Sequence, residues 1–173
     1  MPASRRRSRA ATSRQSRAGS GRKSVPASEG RTRIFLLDTN LFVAAVKHPR
    51  RETATLRFLL ALLQRDDTQL VGNAFWVEEM LRYAEEFRSE TAAWLVGALL
   101  SRARVVQVER NFVTVCAEHV TTPDPADLLH AATCLQERAV LVSNDRHFDR
   151  IRDERVIEVW SIAKAIRSLE GER

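Results

Sequence analysis

The sequence predicts an α/β protein built on a central, mainly parallel sheet of about five strands, and three observations lead there. Short continuous apolar runs recur along the chain, of the kind that forms strands buried on both faces. Longer stretches with helical spacing lie between them, and this alternation suits parallel strands, whose crossovers are helices that cover the sheet. The alternation begins only near residue 33 of the 173, which leaves about 140 residues, the usual size of a single domain with its own core. We therefore divide the chain into a basic tail, residues 1–32, and one folded domain, residues 33–173.

The tail comes first. Residues 1–33 hold ten basic side chains and one acid, Glu29, whereas the remainder holds 18 basic against 21 acidic residues, so the formal charge of +6 comes from one end of the chain. The tail is Arg, Ser, Ala and Gly with Val25 as its largest aliphatic side chain, too little to offset the entropy of ordering it, and disorder is expected. Arg5, Arg6, Arg7 and Arg9 are candidates for phosphate contacts, because each arginine that meets a phosphate releases condensed counterion whatever the base sequence. A plain solubilising extension has the same composition. The tail has no apolar face, as a transit peptide requires, and no apolar stretch after the arginine run, as a twin-arginine signal requires. Gly19 to Ser24 fails as a phosphate loop, since Arg22 precedes the lysine where glycine belongs.

The domain opens with the apolar run Ile34 to Leu37, a strand ended by Asp38. Helical spacing follows over Asn40 to Lys47 and Thr53 to Arg65, then a strand at Thr68 to Gly72. Two helices, Ala74 to Phe87 and Glu90 to Arg102, lead to a strand at Arg104 to Val108. Helices at Arg110 to His119 and Pro125 to Glu137 precede a strand at Ala139 to Ser143, a short turn at Arg146 to Ile151, a strand at Val156 to Trp160 and a last helix at Ile162 to Leu169. In the third helix the stripe Val77, Met80, Leu81, Ala84 predicts the core face and leaves Glu78 and Glu79 off it. Trp76, Trp94 and Trp160 fall at apolar positions and read as packing residues.

Several function classes are excluded. Two cysteines make no disulfide scaffold and fit a reducing compartment, read here as the cytoplasm. The longest uncharged apolar run, Ala92 to Leu100, is far below the roughly 18 residues that span a bilayer, so no membrane partner is expected. The domain has three glycines and no dinucleotide fingerprint, and no nucleophile elbow is present. Cys116, His119, His130 and Cys134 could in principle surround zinc, but the apolar setting of Cys116 favours a buried thiol. His48 and His147 read as surface or loop histidines.

What remains is acidic. In open parallel sheets ligands bind beyond the carboxyl ends of the strands. Asp38 ends the first strand and Asp145 follows the fourth across Asn144, while Glu78 and Glu79 lie in the third helix and Asp124 and Asp127 at the start of a later one. Each has a local explanation: Asp38, Asp124 and Asp145 are good helix caps, and Asp127 suits a first helical turn. Together they suggest more, because carboxylates that share a crevice repel one another and are tolerated mainly where a divalent cation neutralises them. Oxygen-only ligation suits Mg²⁺ or Mn²⁺, and the chemistry such a site supports is hydrolysis of a phosphodiester.

The motifs LLDTNLFVAAV, VEEML, PADLLHAAT and LVSNDRHF stand in the order and spacing of the PIN domain, which the sequence resembles from about residue 33 to 165. The resemblance implies an α/β/α sandwich, an acidic Mg²⁺ or Mn²⁺ site and single-strand-selective endoribonuclease activity leaving 5′-phosphate and 3′-hydroxyl ends. It places the family acids on Asp38, Glu79, Asp127 and Asp145. Asn40 and Ser143 fall on supporting polar positions, Asp124 matches the subset with two aspartates there, and Glu78 stands second to Glu79, which carries the following apolar pair Met80 and Leu81. Many PIN domains are VapC-type toxins, so RNA, a small antitoxin protein and a second copy of the chain are the implied partners. The rival reading is a non-catalytic RNA-binding module whose affinity comes from the tail.

Overall fold

The first strand, β1 (Arg33–Leu37), lies at the centre of one parallel sheet; β2 (Thr68–Gly72), β3 (Ala103–Val105), β4 (Val140–Val142) and β5 (Glu158–Trp160) complete it in the order β3-β2-β1-β4-β5. Phe35 pairs with Leu70 on one side and Val140 on the other. Phe35, Leu36 and Leu37 are all buried, which is why the run has no polar alternation. The computed structural model of the chain describes residues 32–48, 51–121 and 124–170. The expectations for residues 1–31, the arginines at 5, 6, 7 and 9 among them, lie outside the described residues.

The chain builds outward from β1 through β2 to β3, then returns to the other side of β1 for β4 and β5. The order therefore reverses between β1 and β4, and a crevice opens beyond their carboxyl ends. Two contacts hold that point together: the Asp38 amide donates to the Val142 carbonyl at 3.0 Å, and the Ser143 amide donates to the Trp160 carbonyl at 2.9 Å.

Eight helices are described: α1 (Thr39–Val46), α2 (Ala54–Leu63), α3 (Ala74–Phe87), α4 (Glu90–Arg102), α5 (Arg110–Ala117), α6 (Pro125–Glu137), α7 (Asp149–Asp153) and α8 (Ile162–Glu170). Right-handed crossovers place α1 to α4 on one face, and the return from β3 to β4 places α5 and α6 on the other. In keeping with this, α1, α4 and α8 each contact α2, whereas α5 packs on α6 and α6 runs along β1, β2 and β4. Polar caps start the helices: Thr53, Asn73 and Ser89 each accept the amide three residues on, at 3.0 Å.

The β2–α3 junction aims α3. Gly72 leaves room for the Trp76 indole, whose carbons would lie 2.3 Å from a Cβ placed there. Trp76 is wholly buried and its Nε1 donates to the Leu37 carbonyl at 2.7 Å. Buried Asn73 caps α3 and donates through Nδ2 to Thr133 Oγ1 at 2.9 Å, tying the start of α3 to the middle of α6.

Three expectations are corrected. The third strand is Ala103–Val105 rather than Arg104 to Val108, because α4 runs into it without a loop and only three residues pair with β2. The buried face of α3 centres on Trp76 and Met80, so Leu81 is exposed and Glu79 turns part-way inward. Trp94 is 59% exposed, since Ala92, Leu95, Val96 and Leu99 occupy the inner face of α4. Trp76 and Trp160 are buried as expected.

Candidate active site

Four elements bring the acids to the crevice at the β1/β4 reversal. Asp38 follows β1 directly and is almost wholly buried. Its Oδ1 accepts the Asn40 amide at 3.1 Å, capping α1, while Asn40 Nδ2 reaches Oδ2 at 3.4 Å. Ser143, just past β4, donates its hydroxyl to Asp38 Oδ2 and accepts the Asp145 amide at 2.9 Å. One hydroxyl thus links the ends of two adjacent strands. Asp145 caps the single 3₁₀ turn Arg146–Phe148 by accepting the His147 amide at 2.9 Å.

Asp127 sits in the first turn of α6, whose cap is Asp124, with Oδ1 accepting the Ala126 amide at 2.8 Å. Glu79 reaches in from α3, half-buried, while its neighbour Glu78 is exposed. Among the described residues Glu79 is paired with the guanidinium of Arg82, at 3.8 Å and itself well exposed. The structure therefore brings Asp38, Asp127, Asp145 and Glu79 within electrostatic reach of one another, with Asn40, Ser143 and Asp124 as their supports.

The electrostatics are those of a crowded anionic site. The carboxyl of Glu79 is raised above the ordinary range, chiefly by desolvation; Arg82 opposes this, and Asp124, Asp38 and Asp127 add to it. Asp127 is raised in the same way by burial, with the His147 hydrogen bond opposing and Asp38, Asp124 and Asp145 reinforcing.

Two histidines complete the site, and the sequence reading placed neither in it. His147 Nδ1 donates to Asp127 Oδ2 at 2.9 Å and lies 3.3 Å from Asp145 Oδ1, so it links the acids of α6 and the 3₁₀ turn. Those contacts raise its pKa, Asp127 first and then Asp145. Its signal in the sequence is its place two residues after Asp145. His130, one helical turn after Asp127, is 2% exposed, with Nε2 3.7 Å from Glu79 Oε2. Among the described residues neither ring nitrogen nor Glu79 Oε2 has a hydrogen-bond partner. Burial pushes His130 down to about 4, against the pull of Asp38 and Asp124.

The zinc arrangement does not form: His119 Nδ1 pairs with Glu154, His130 faces Glu79, and Cys116 and Cys134 are buried free thiols that burial holds protonated. Beside the acids lies an open crevice of about 550 Å³ lined by Asn40, Ala44, Asn144, Asp145, Arg146, His147 and Ile162. A separate cavity of about 230 Å³ between α2 and α8 is walled by apolar side chains with Arg57 and Arg65, and has no carboxylate to support chemistry.

The donor set fits a hard divalent cation: carboxylate oxygens from four elements, two of them raised partly by one another, and one buried oxygen without a partner. Among the described residues no three His, Cys, Asp or Glu side chains already stand close enough to hold one ion.

The PIN domain model matches residues 35–154. The chain belongs to the PIN domain family. PIN domains are in general nucleases, hydrolases that commonly use divalent metals. Two solved structures share the PIN fold seen here. VapBC2 from Rickettsia felis, bound to a DNA fragment from its promoter, is 22% identical and covers 74% of this chain and 98% of its own, with a TM-score of 0.50. VapBC-1 from nontypeable Haemophilus influenzae is 21% identical and covers 76% of this chain and 99% of its own, with a TM-score of 0.52. No curated protein matches the chain. Among the described residues no helix is long and apolar enough to cross a membrane.

Proposed function

We propose that this PIN domain is a Mg²⁺- or Mn²⁺-dependent endoribonuclease that cuts single-stranded RNA, and that it serves as the VapC-type toxin of a toxin–antitoxin pair. The observation that carries this reading is the convergence of Asp38, Glu79, Asp127 and Asp145 on the β1/β4 reversal, where burial and the neighbouring acids raise Glu79 and Asp127. The VapBC character of both solved structures supports the toxin role and a small antitoxin as partner. Family resemblance adds a homodimer, the two cysteines suit a cytoplasmic setting, and the arginines at 5, 6, 7 and 9 would add sequence-independent affinity for RNA.

Asp38, Glu79, Asp127 and Asp145 would hold the cation. When bound, it would lower the cost of deprotonating water and screen the charge that develops on the phosphate. The chain's own contribution is preorganisation. Ser143 and Asn40 fix both oxygens of Asp38, the α6 cap fixes the turn that carries Asp127, and His147 holds Asp127 and Asp145 at one distance. Arg146 and Asn144 line the adjoining crevice, where a neighbouring phosphate of the strand would lie.

The test is cleavage of labelled single-stranded RNA with either ion, comparing the full chain, Asp38→Asn and a chain starting at Arg31, with EDTA as control. Cleavage that needs the ion and is lost in Asp38→Asn is expected. Cleavage indifferent to both EDTA and Asp38→Asn would overturn the proposal, and a weaker Km in the shortened chain would assign RNA affinity to the tail.

A further inference from the structure

His130 is the anomaly of the site. An imidazole at 2% exposure with neither nitrogen hydrogen-bonded violates the rule that buried polar groups find partners, and Glu79 Oε2 beside it violates the same rule. The two are not a hydrogen-bonded pair, since 3.7 Å is beyond hydrogen-bond reach. The separation is close to another arrangement. Ligands about 2.1 Å from one ion stand roughly 3.0 Å apart in octahedral and about 3.4 Å apart in tetrahedral geometry, so a closing of a few tenths of an ångström would let both atoms reach one ion. Neither atom has a hydrogen-bond partner among the described residues, and both border the acidic cluster.

We propose that His130 is a metal ligand, binding the same cation as Glu79, and that it makes the site selective for a first-row transition ion over Mg²⁺. The inference rests on the metal-dependent reading above. Its physical basis is donor chemistry: Mg²⁺ keeps to oxygen ligands and its own waters, whereas imidazole nitrogen is an acceptable donor to Mn²⁺ and a good one to the later first-row ions. The four acids alone offer only oxygen and would take either ion. His130 is well placed to discriminate because Thr133 and Asn73 lock that stretch of α6 to the start of α3, so imidazole and carboxylate are presented from two fixed helices.

The experiment is Mn²⁺ binding by the full chain, followed by the loss of the free-ion EPR signal, with electron spin-echo envelope modulation on the bound ion to detect a directly coordinated ¹⁴N. A ¹⁴N coupling present in the wild type, absent in His130→Asn and retained in His147→Asn is expected. His130→Asn should also weaken Mn²⁺ binding about tenfold or more while leaving Mg²⁺ competition nearly unchanged. The wild-type spectrum decides even where the buried variant fails to fold. Bound Mn²⁺ with no ¹⁴N coupling overturns the ligand role and leaves the acidic nuclease reading intact. A coupling that disappears in His147→Asn instead moves the ligand to the exposed histidine and overturns the proposal. No Mn²⁺ binding by a folded chain overturns both.

Discussion

The two ends of the sheet treat carboxylates in opposite ways. At the amino end Asp67 is gripped by Arg65, with Nε to Oδ1 at 2.7 Å, and this pairing first of all holds its carboxyl below the ordinary range. Nearby, Arg33 donates to Ser168 at 3.0 Å, so charges there meet partners of their own chain. At the carboxyl end Glu79 and Asp127 are raised, chiefly by burial and further by Asp38 and Asp124, with Arg82 at 3.8 Å from Glu79 and His147 on Asp127 opposing. The same residue type is stabilised as an anion at one end and penalised at the other. Pairing stabilises the first carboxylate, whereas burial and crowding destabilise the second set.

The comparison breaks most sharply at Asp38. Asp38→Asn keeps an oxygen for the Asn40 amide, so thermal unfolding should change little, while ion-dependent RNA cleavage should fall by at least about a hundredfold. Unfolding of that variant at room temperature would make Asp38 a structural cap and nothing more.

Next comes the junction that aims Glu79. Gly72→Ala forces a methyl into the Trp76 ring and should destabilise by about 1–3 kcal/mol in chemical denaturation. A neutral result would show that α3 can shift without strain, and that its placement of Glu79 is loose.

A smaller effect runs the other way. Asp127→Asn and Glu79→Gln remove crowded anions, so each should raise the melting temperature measured in EDTA while lowering ion affinity. The sign follows from linkage. A carboxyl raised in the folded state disfavours folding when ionised, so for Glu79 and Asp127 the penalty is present near neutrality and fades as pH falls toward the ordinary carboxylate range of about 4. Asp67 is lowered and behaves inversely, its contribution being present above that range and lost as pH falls through the lowered value. Melting temperatures of wild type and Asp127→Asn should therefore converge between pH 7 and about 4.5. A difference that widens on acidification would contradict the crowding.

The smallest test lies away from both ends. Arg138 ends α6 at φ 53°, in the left-handed region, and Arg138→Gly should stabilise by about 0.5 kcal/mol with RNA cleavage unchanged.

Much of this was legible in the sequence because it is local. Apolar runs such as Ile34 to Leu37 need no tertiary information to be read as buried strands, and the helix starts at Thr53, Asn73, Ser89 and Asp124 announce themselves by capping side chains within three residues. The acids at 38, 79, 127 and 145 were visible as motifs, and Asp38, Asp124 and Asp145 are caps as expected. The short third strand was misplaced because three paired residues carry almost no periodic signal. Trp94 was misjudged because an apolar helix such as α4 offers no polar face to mark its outside, and which side is covered depends on its neighbours.

What the sequence by itself determined is the alternation of strand and helix, the separate charge of the tail and the identity of the acids, since spacing and composition carry all three. Only the tertiary structure decided the phase of α3 that turns Glu79 inward and Leu81 outward, the bridge that His147 makes between Asp127 and Asp145, and the burial of His130 against Glu79. The reason is distance along the chain. His130 and Glu79 are 51 residues apart, and their meeting depends on how α3 and α6 are set over the sheet by Gly72, Trp76, Asn73 and Thr133, contacts that no local pattern encodes.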